Sequence, residues 1–182
     1  MKLTLEAGEI REALEHLKAG DEVLLNGAVY TARDAAHQQL FELLDTGRPL
    51  PFPLQDAILY YAGPTPGQKG MAVGACGPTT AGRMDGFAPR LLRLGVAAMI
   101  GKGERNKTVE AAIRETGSCY FCAPGGAGAL IARCITCAEE IAFPHLGCES
   151  IKRLWVKELP LIVAIDRWGG NLFREGRKRY SA

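Results

Sequence analysis

At 182 residues, with 47% apolar and 23% charged side chains, the chain has the size and balance of one globular domain, which excludes disordered and fibrous classes. Its 22 basic and 20 acidic residues leave a formal net charge of +2, so the basic excess of a nucleic-acid binder is missing. No stretch is apolar for long enough to span a bilayer, and Glu6 arrives before the apolar core of a signal peptide can build, so a cytoplasmic location is expected.

Between Gly8 and Gly20, Ile10, Ala13, Leu14 and Leu17 recur at helical spacing and predict a short amphipathic helix. Residues 22–31 are strand-like, and Asn26-Gly27 within them predicts a hairpin turn. Asp34 to Leu44 reads as a helix with Ala36, Leu40, Leu43 and Leu44 on one face, and the prolines of residues 48–53 make a rigid connector. Strands are predicted over 57–62 and 71–76, on either side of the loop Gly63-Pro64-Thr65-Pro66-Gly67. After a short turn, a helix restarts near Ala88 with Pro89 in its first turn. The pattern then alternates: strand 96–100, helix 108–115, strand 119–123, helix 126–134, strand 138–143. Such alternation predicts parallel strands covered by helices. Residues 154–156 and 161–165 read as two more strands before the tight turn Arg167-Trp168-Gly169-Gly170, and Arg174, Arg177, Lys178 and Arg179 read as a solvated tail.

The densest chemical signal is Gly77-Pro78-Thr79-Thr80-Ala81-Gly82-Arg83-Met84-Asp85. With residues 79–83 helical, Thr79 and Arg83 share a face at a helix start, where unpaired amides and the helix dipole favour an anion. The same residues also spell an ordinary capped helix N-terminus. Arg33 and Arg83 offer paired, charge-assisted hydrogen bonds to carboxylates. Lys102, between Gly101 and Gly103, offers a compact third charge where the backbone can approach a ligand.

The signature shares the chain with Thr31-Ala32-Arg33-Asp34-Ala35-Ala36-His37, Tyr60-Tyr61-Ala62-Gly63-Pro64, Ile100-Gly101-Lys102-Gly103, Gly125-Gly126-Ala127-Gly128-Ala129-Leu130 and Leu161-Ile162-Val163-Ala164-Ile165-Asp166. In this order the six pieces resemble the beta subunit or C-terminal domain of the class I, iron-sulfur fumarate and tartrate hydratases. The resemblance covers nearly the whole chain. It implies an α/β fold, a swivelling three-layer β/β/α domain with a mixed sheet over residues 1–182, and reversible hydration of fumarate to malate.

For the site, the resemblance implies Thr79 as the base that takes a proton from carbon, with Arg33, Arg83 and Lys102 binding the dicarboxylate. An alcohol is a poor base unless cations hold its alkoxide, a task for Arg83 and Lys102, and Thr80 is the alternative to Thr79. The [4Fe-4S] cluster of the family is expected on a partner alpha subunit, bound there by cysteines, so this chain is expected to work only in a heteromer such as a dimer of heterodimers. Tartrate dehydratase is the alternative activity, and Asp85 leans toward the fumarate version.

A reading of a different class comes from Cys119-x-x-Cys122 and Cys134-x-x-Cys137, whose spacing approaches that of a zinc ribbon and suggests a zinc-stapled, noncatalytic binding module. Against it, residues three apart on a strand point to opposite faces. These cysteines, with Cys76 and Cys148, read as reduced, buried small side chains. No metal is therefore assigned to this chain. His16, His37 and His145 lack the spacing of a metal site, and His37 is assigned a supporting role beside Arg33.

Overall fold

The computed structural model describes residues 2–180. In chain order the elements are β1 (Lys2–Glu6), α1 (Ile10–Ala13), β2 (Glu22–Thr31), α2 (Asp34–Asp45), β3 (Ile58–Tyr60), α3 (Ala88–Arg93), β4 (Ala98–Gly101), α4 (Lys107–Thr116), β5 (Cys119–Cys122), α5 (Gly128–Ala132), β6 (Ile135–Ala142), β7 (Ile151–Ile165) and α6 (Leu172–Tyr180).

Strands β1 to β5 pair in parallel in sequence order. The long β7 runs antiparallel to them, joining β5 near its end and β2 along most of its length, so the pairings β2-β3-β4-β5-β7 close on themselves. The strands then have two apolar faces. Ile58, Tyr60, Ile100 and Phe121 point into a core shared with Leu25, Val29, Leu154 and Leu161 of the facing strands. Leu59, Tyr61, Met99 and Tyr120 point the other way, onto Ala36, Leu40, Leu91 and Ile113 of α2, α3 and α4. Helices, one half of the closed sheet and its other half thus form the expected three layers of an α/β fold.

Five local expectations change. Asn26-Gly27 does not turn a hairpin: β2 runs through it with a bulge against β7. Gly27 has φ +104°, and a Cβ there would lie 2.9 Å from that of Ala7, so glycine is what lets the strand pass. The Asn26 amide donates to Glu6 and its carbonyl accepts from the Glu158 amide, each at 2.8 Å. That second bond holds the bend at Glu158, where φ is +53°, and so residues 154–156 and 161–165 belong to one strand rather than two.

Residues 71–76 form a loop. Their polar backbone pairs back onto Thr65, whose N–H donates to the Ala75 carbonyl and whose carbonyl accepts from Gly74, both at 2.9 Å. Strand β6 continues the alternation in position but not in direction, lying antiparallel to β7. The basic end is a docked helix and not a tail. Asn171 accepts from the Phe173 amide at 3.0 Å, Glu175 accepts from the Asn171 amide at 3.0 Å, and Arg174 pairs with Glu110 at 3.2 Å. The side chain of Arg179 lies outside the described residues. Among the described residues, no helix is long and apolar enough to cross a membrane.

Candidate active site

Because β2, β3, β4 and β5 are parallel, their carboxyl ends meet along one edge, where ligands of open α/β sheets commonly bind. Arg33 follows β2 by two residues, Gly63 follows β3, Lys102 directly follows β4, and Gly125 follows β5. The signature is strapped across this edge. Tyr60 donates its hydroxyl to the Cys76 carbonyl at 2.7 Å, and the Thr79 amide donates to the Tyr61 carbonyl at 2.7 Å. On the other side, the Lys102 amide donates to the Thr79 carbonyl at 3.1 Å and the Ala81 amide to the Lys102 carbonyl at 2.9 Å.

The signature therefore does not open an α-helix. Thr80 is extended, and only a four-residue 3-10 turn, Ala81–Met84, follows it. Its first amide is already bound to Lys102, so affinity for an anion must come from side-chain cations and not from a helix start. Proline 89 behaves as expected, in the first turn of α3.

That turn nevertheless brings Arg83 back over Thr79. Nη2 of Arg83 donates to Thr79 Oγ1 at 2.6 Å, while Nε and Nη2 donate to the two carboxylate oxygens of Asp34 at 2.9 and 3.2 Å. The Asp34 carboxyl is affected most by burial, which raises its pKa, yet the Arg83 hydrogen bond and the charges of Arg83 and Arg33 outweigh this and hold it below the usual carboxylate value. Arg33 stands on the other side of Asp34, with Nε 3.9 Å from its carboxylate, and forms an ion pair with Glu149, Nη2 to carboxylate oxygen 3.2 Å. Its path needs Gly63, where a Cβ would sit 3.0 Å from Arg33 Nη1. Lys102 is exposed, with its stem running past Gly125, and among the described residues its amine makes no hydrogen bond or ion pair.

Arg33, Thr79, Arg83 and Lys102 are thus assembled on one open edge, with Arg83 45% exposed at its side chain. Of the two threonines, Thr79 is the one whose hydroxyl meets a guanidinium; Thr80 is exposed and faces Gly103 with its methyl. Two members escaped the sequence reading. Asp34 had a signal, an acid beside the arginine of its motif, whereas Glu149 had none because it reaches Arg33 from a distant turn. Asp85, which closes the signature, accepts from Arg105 Nε at 2.6 Å and from the Asn106 amide at 2.7 Å, and so ties the signature to the loop before α4.

His37 supports this edge from below. Its Nδ1 lies 2.8 Å from the Arg33 carbonyl, and because a carbonyl can only accept, Nδ1 carries the proton. Burial dominates its titration, helped by the Arg105 charge and opposed by the Arg33 carbonyl and Asp34, and takes the pKa from 6.5 to about 4. Between these values the unfolded chain binds a proton that the folded chain refuses. Stability from this residue is accordingly complete above pH 6.5 and lost as pH falls toward 4, by up to about 3 kcal/mol. Urea titrations from about pH 7 down to about pH 5 should show a steeper loss for the native protein than for His37→Gln; equal slopes would remove His37 as the cause.

The cysteines do not assemble. Cys119 on β5 is buried and its thiol is pushed up by burial, the Cys76 thiol is pushed up to about 12 for the same reason, and Cys137 on β6 is exposed. Among the described residues, no three His, Cys, Asp or Glu side chains are grouped to hold a metal ion. Thiols dispersed in this way do not fit an iron-sulfur cluster, which needs several on one side of a cavity.

Residues 1–176 match the family described as Fumarase C-terminus. The chain is 36% identical over 92% of its length to the aerobic class I fumarate hydratase of Escherichia coli (strain K12), of which it covers 31%. It is 35% identical over 93% of its length to the putative L(+)-tartrate dehydratase subunit beta of Methanocaldococcus jannaschii, covering 90% of that protein. It is also 33% identical over its whole length to the L(+)-tartrate dehydratase subunit beta of Escherichia coli (strain K12), covering 91%. The chain spans about 30% of the length of the fumarate hydratases it matches.

Proposed function

Since this chain belongs to the Fumarase C-terminus family, we propose that it is the beta component of a hydro-lyase that adds water to fumarate, and removes it from malate, in company with an alpha subunit. The observation that carries this is the contact of Arg83 with both the Thr79 hydroxyl and Asp34, on an edge where Arg33 and Lys102 also stand.

Each part has a task. Arg33 and Lys102 supply the charges that hold the two carboxylates of the substrate and fix its carbon chain over Thr79. Thr79 Oγ1, as the alkoxide, takes a proton from carbon as the substrate hydroxyl departs as hydroxide, and as the hydroxyl it returns that proton to carbon when hydroxide adds. The guanidinium hydrogen bond lowers the cost of the alkoxide, and Asp34 keeps that guanidinium turned toward Thr79. The open face of the edge suits closure by a second chain, which would exclude bulk water and strengthen these charges. The [4Fe-4S] cluster is assigned to that second chain, because the cysteines present here do not fit it.

Tartrate remains the second reading, supported by the two relatives that the chain covers at 90 and 91%, both named as beta subunits of tartrate dehydratases. Coexpression with a cysteine-bearing alpha subunit, anaerobic purification and assay against fumarate, malate and L-tartrate tests both. Water addition or elimination with one diacid is expected from the pair and none from this chain alone. An assembled, cluster-loaded pair inert toward all three would end the hydro-lyase reading, and about one equivalent of zinc on this chain alone would favour the zinc-stapled module instead.

A further inference from the structure

Directly beneath the proposed site lie three buried polar atoms with no hydrogen-bond partner among the described residues: Nε2 of His37, the hydroxyl of Tyr61 and Nη2 of Arg105. They are neighbours. The His37 and Tyr61 rings meet edge-on with centroids 5.6 Å apart, and the Arg105 guanidinium lies over the Tyr61 ring at 5.3 Å. Their hydrogen-bonding capacity is complementary. His37 Nδ1 is spent on Arg33, which leaves Nε2 as an acceptor. Arg105 spends Nε on Asp85 and turns Nη1 to the Met99 sulfur at 3.4 Å, leaving Nη2 as a donor. The Tyr61 hydroxyl can serve in either sense. Leaving three such atoms dry is costly, and one buried water typically satisfies about three buried polar groups.

We propose that a single buried water molecule joins these three side chains, accepting from Arg105 Nη2 and the Tyr61 hydroxyl and donating to His37 Nε2. Through it His37, Tyr61 and Arg105 act as positioning residues for the site, a role that rests on the hydro-lyase reading given above. His37 holds the backbone of Arg33 through its carbonyl, and Tyr61 holds the backbone of Thr79 through its own. The carboxylate clamp and the proposed base therefore hang from one hydrated node, although none of the three side chains reaches the open edge where substrate would sit: His37 and Tyr61 are fully buried and Arg105 nearly so.

A crystal structure of the assembled enzyme tests the water directly. Ordered density within about 2.7–3.2 Å of all three atoms is expected; side chains that bond one another with no density between them would overturn the node. This is read whether or not the enzyme turns over, so its failure is distinct from failure of the proposed reaction. The positioning role is tested by Tyr61→Phe, which removes one oxygen and keeps the ring. A displacement of Thr79 should lower kcat about tenfold or more with KM within about twofold, since the His37 Nδ1 bond that holds Arg33 stays in place while the support nearest Thr79 is lost. An unchanged kcat would overturn the role. For the case that the phenylalanine variant does not fold, Arg105→Lys supplies the same split between kcat and KM, and the structural result on the native enzyme stands by itself.

Discussion

Replacing Thr79 with Val is expected to lower kcat of the assembled enzyme by about 10²–10⁴-fold, the usual contribution of a positioned proton-transfer group, while leaving its thermal stability nearly unchanged. Valine keeps the shape and the stiffness of threonine. The backbone of residue 79 does its structural work through its amide and carbonyl, which bind Tyr61 and Lys102 and are the same in either residue. Only the 2.6 Å bond between Oγ1 and Arg83 is lost. KM should move little, because Arg33, Arg83 and Lys102 remain. Thr79→Ser should restore most of the rate, and Thr80→Val should cost little, as its hydroxyl meets no guanidinium. Arg83→Lys should also be slow, since an ammonium cannot hold Thr79 and both oxygens of Asp34 in one plane. The double variant should be hardly slower than Thr79→Val, because the two residues act as a unit. A Thr79→Val enzyme within about threefold of the native kcat would remove the threonine from the chemistry.

The order and type of most elements were legible because they are local: the helical spacing of α2 and α4, the Pro89 helix start, and the strand-helix alternation from β4 to α5. What misled was local signal overruled by distant partners. Asn26-Gly27 is a strong turn dipeptide, but β7 pairs with β2 on both sides of it, and the cheapest way to keep that ladder is a bulge. Likewise the break near Glu158 reads as a loop until the Asn26 side chain is seen to take its amide. At the site, the four residues were legible as a set through their motifs, yet no sequence rule places Asp34 and Glu149 as the carboxylates that orient the two arginines. Arg105 was invisible for a similar reason. A cation in a loop is ordinarily solvated, and this one is buried only because Asp85, Tyr61 and Tyr120 surround it.

The Arg105–Asp85 pair is where the largest loss of stability is expected. Burial works against the Arg105 charge, but Tyr61, Asp85 and Tyr120 outweigh it and raise the pKa above the ordinary arginine value, so the guanidinium stays charged beneath the site at any working pH. Asp85→Asn should then cost about 3–5 kcal/mol, the price of leaving a buried charge without its counter-ion. The amide oxygen can accept from Arg105 Nε or from the Asn106 amide, but its NH2 must face the other donor, where the carboxylate now serves both. The damage should spread to the start of α4, because Asn106 caps that helix by accepting from the Val109 amide at 2.9 Å. Against a typical domain stability of about 5–15 kcal/mol, such a loss leaves the variant marginal, and denaturant titration should resolve it readily. Removing both charges in Asp85→Asn with Arg105→Met should recover much of the loss, because an uncompensated charge, and not a missing attraction, is what destabilises the single variant. A loss below about 1 kcal/mol in Asp85→Asn would mean that water reaches Arg105 in solution, and the platform under Thr79 would then be far softer than its burial implies.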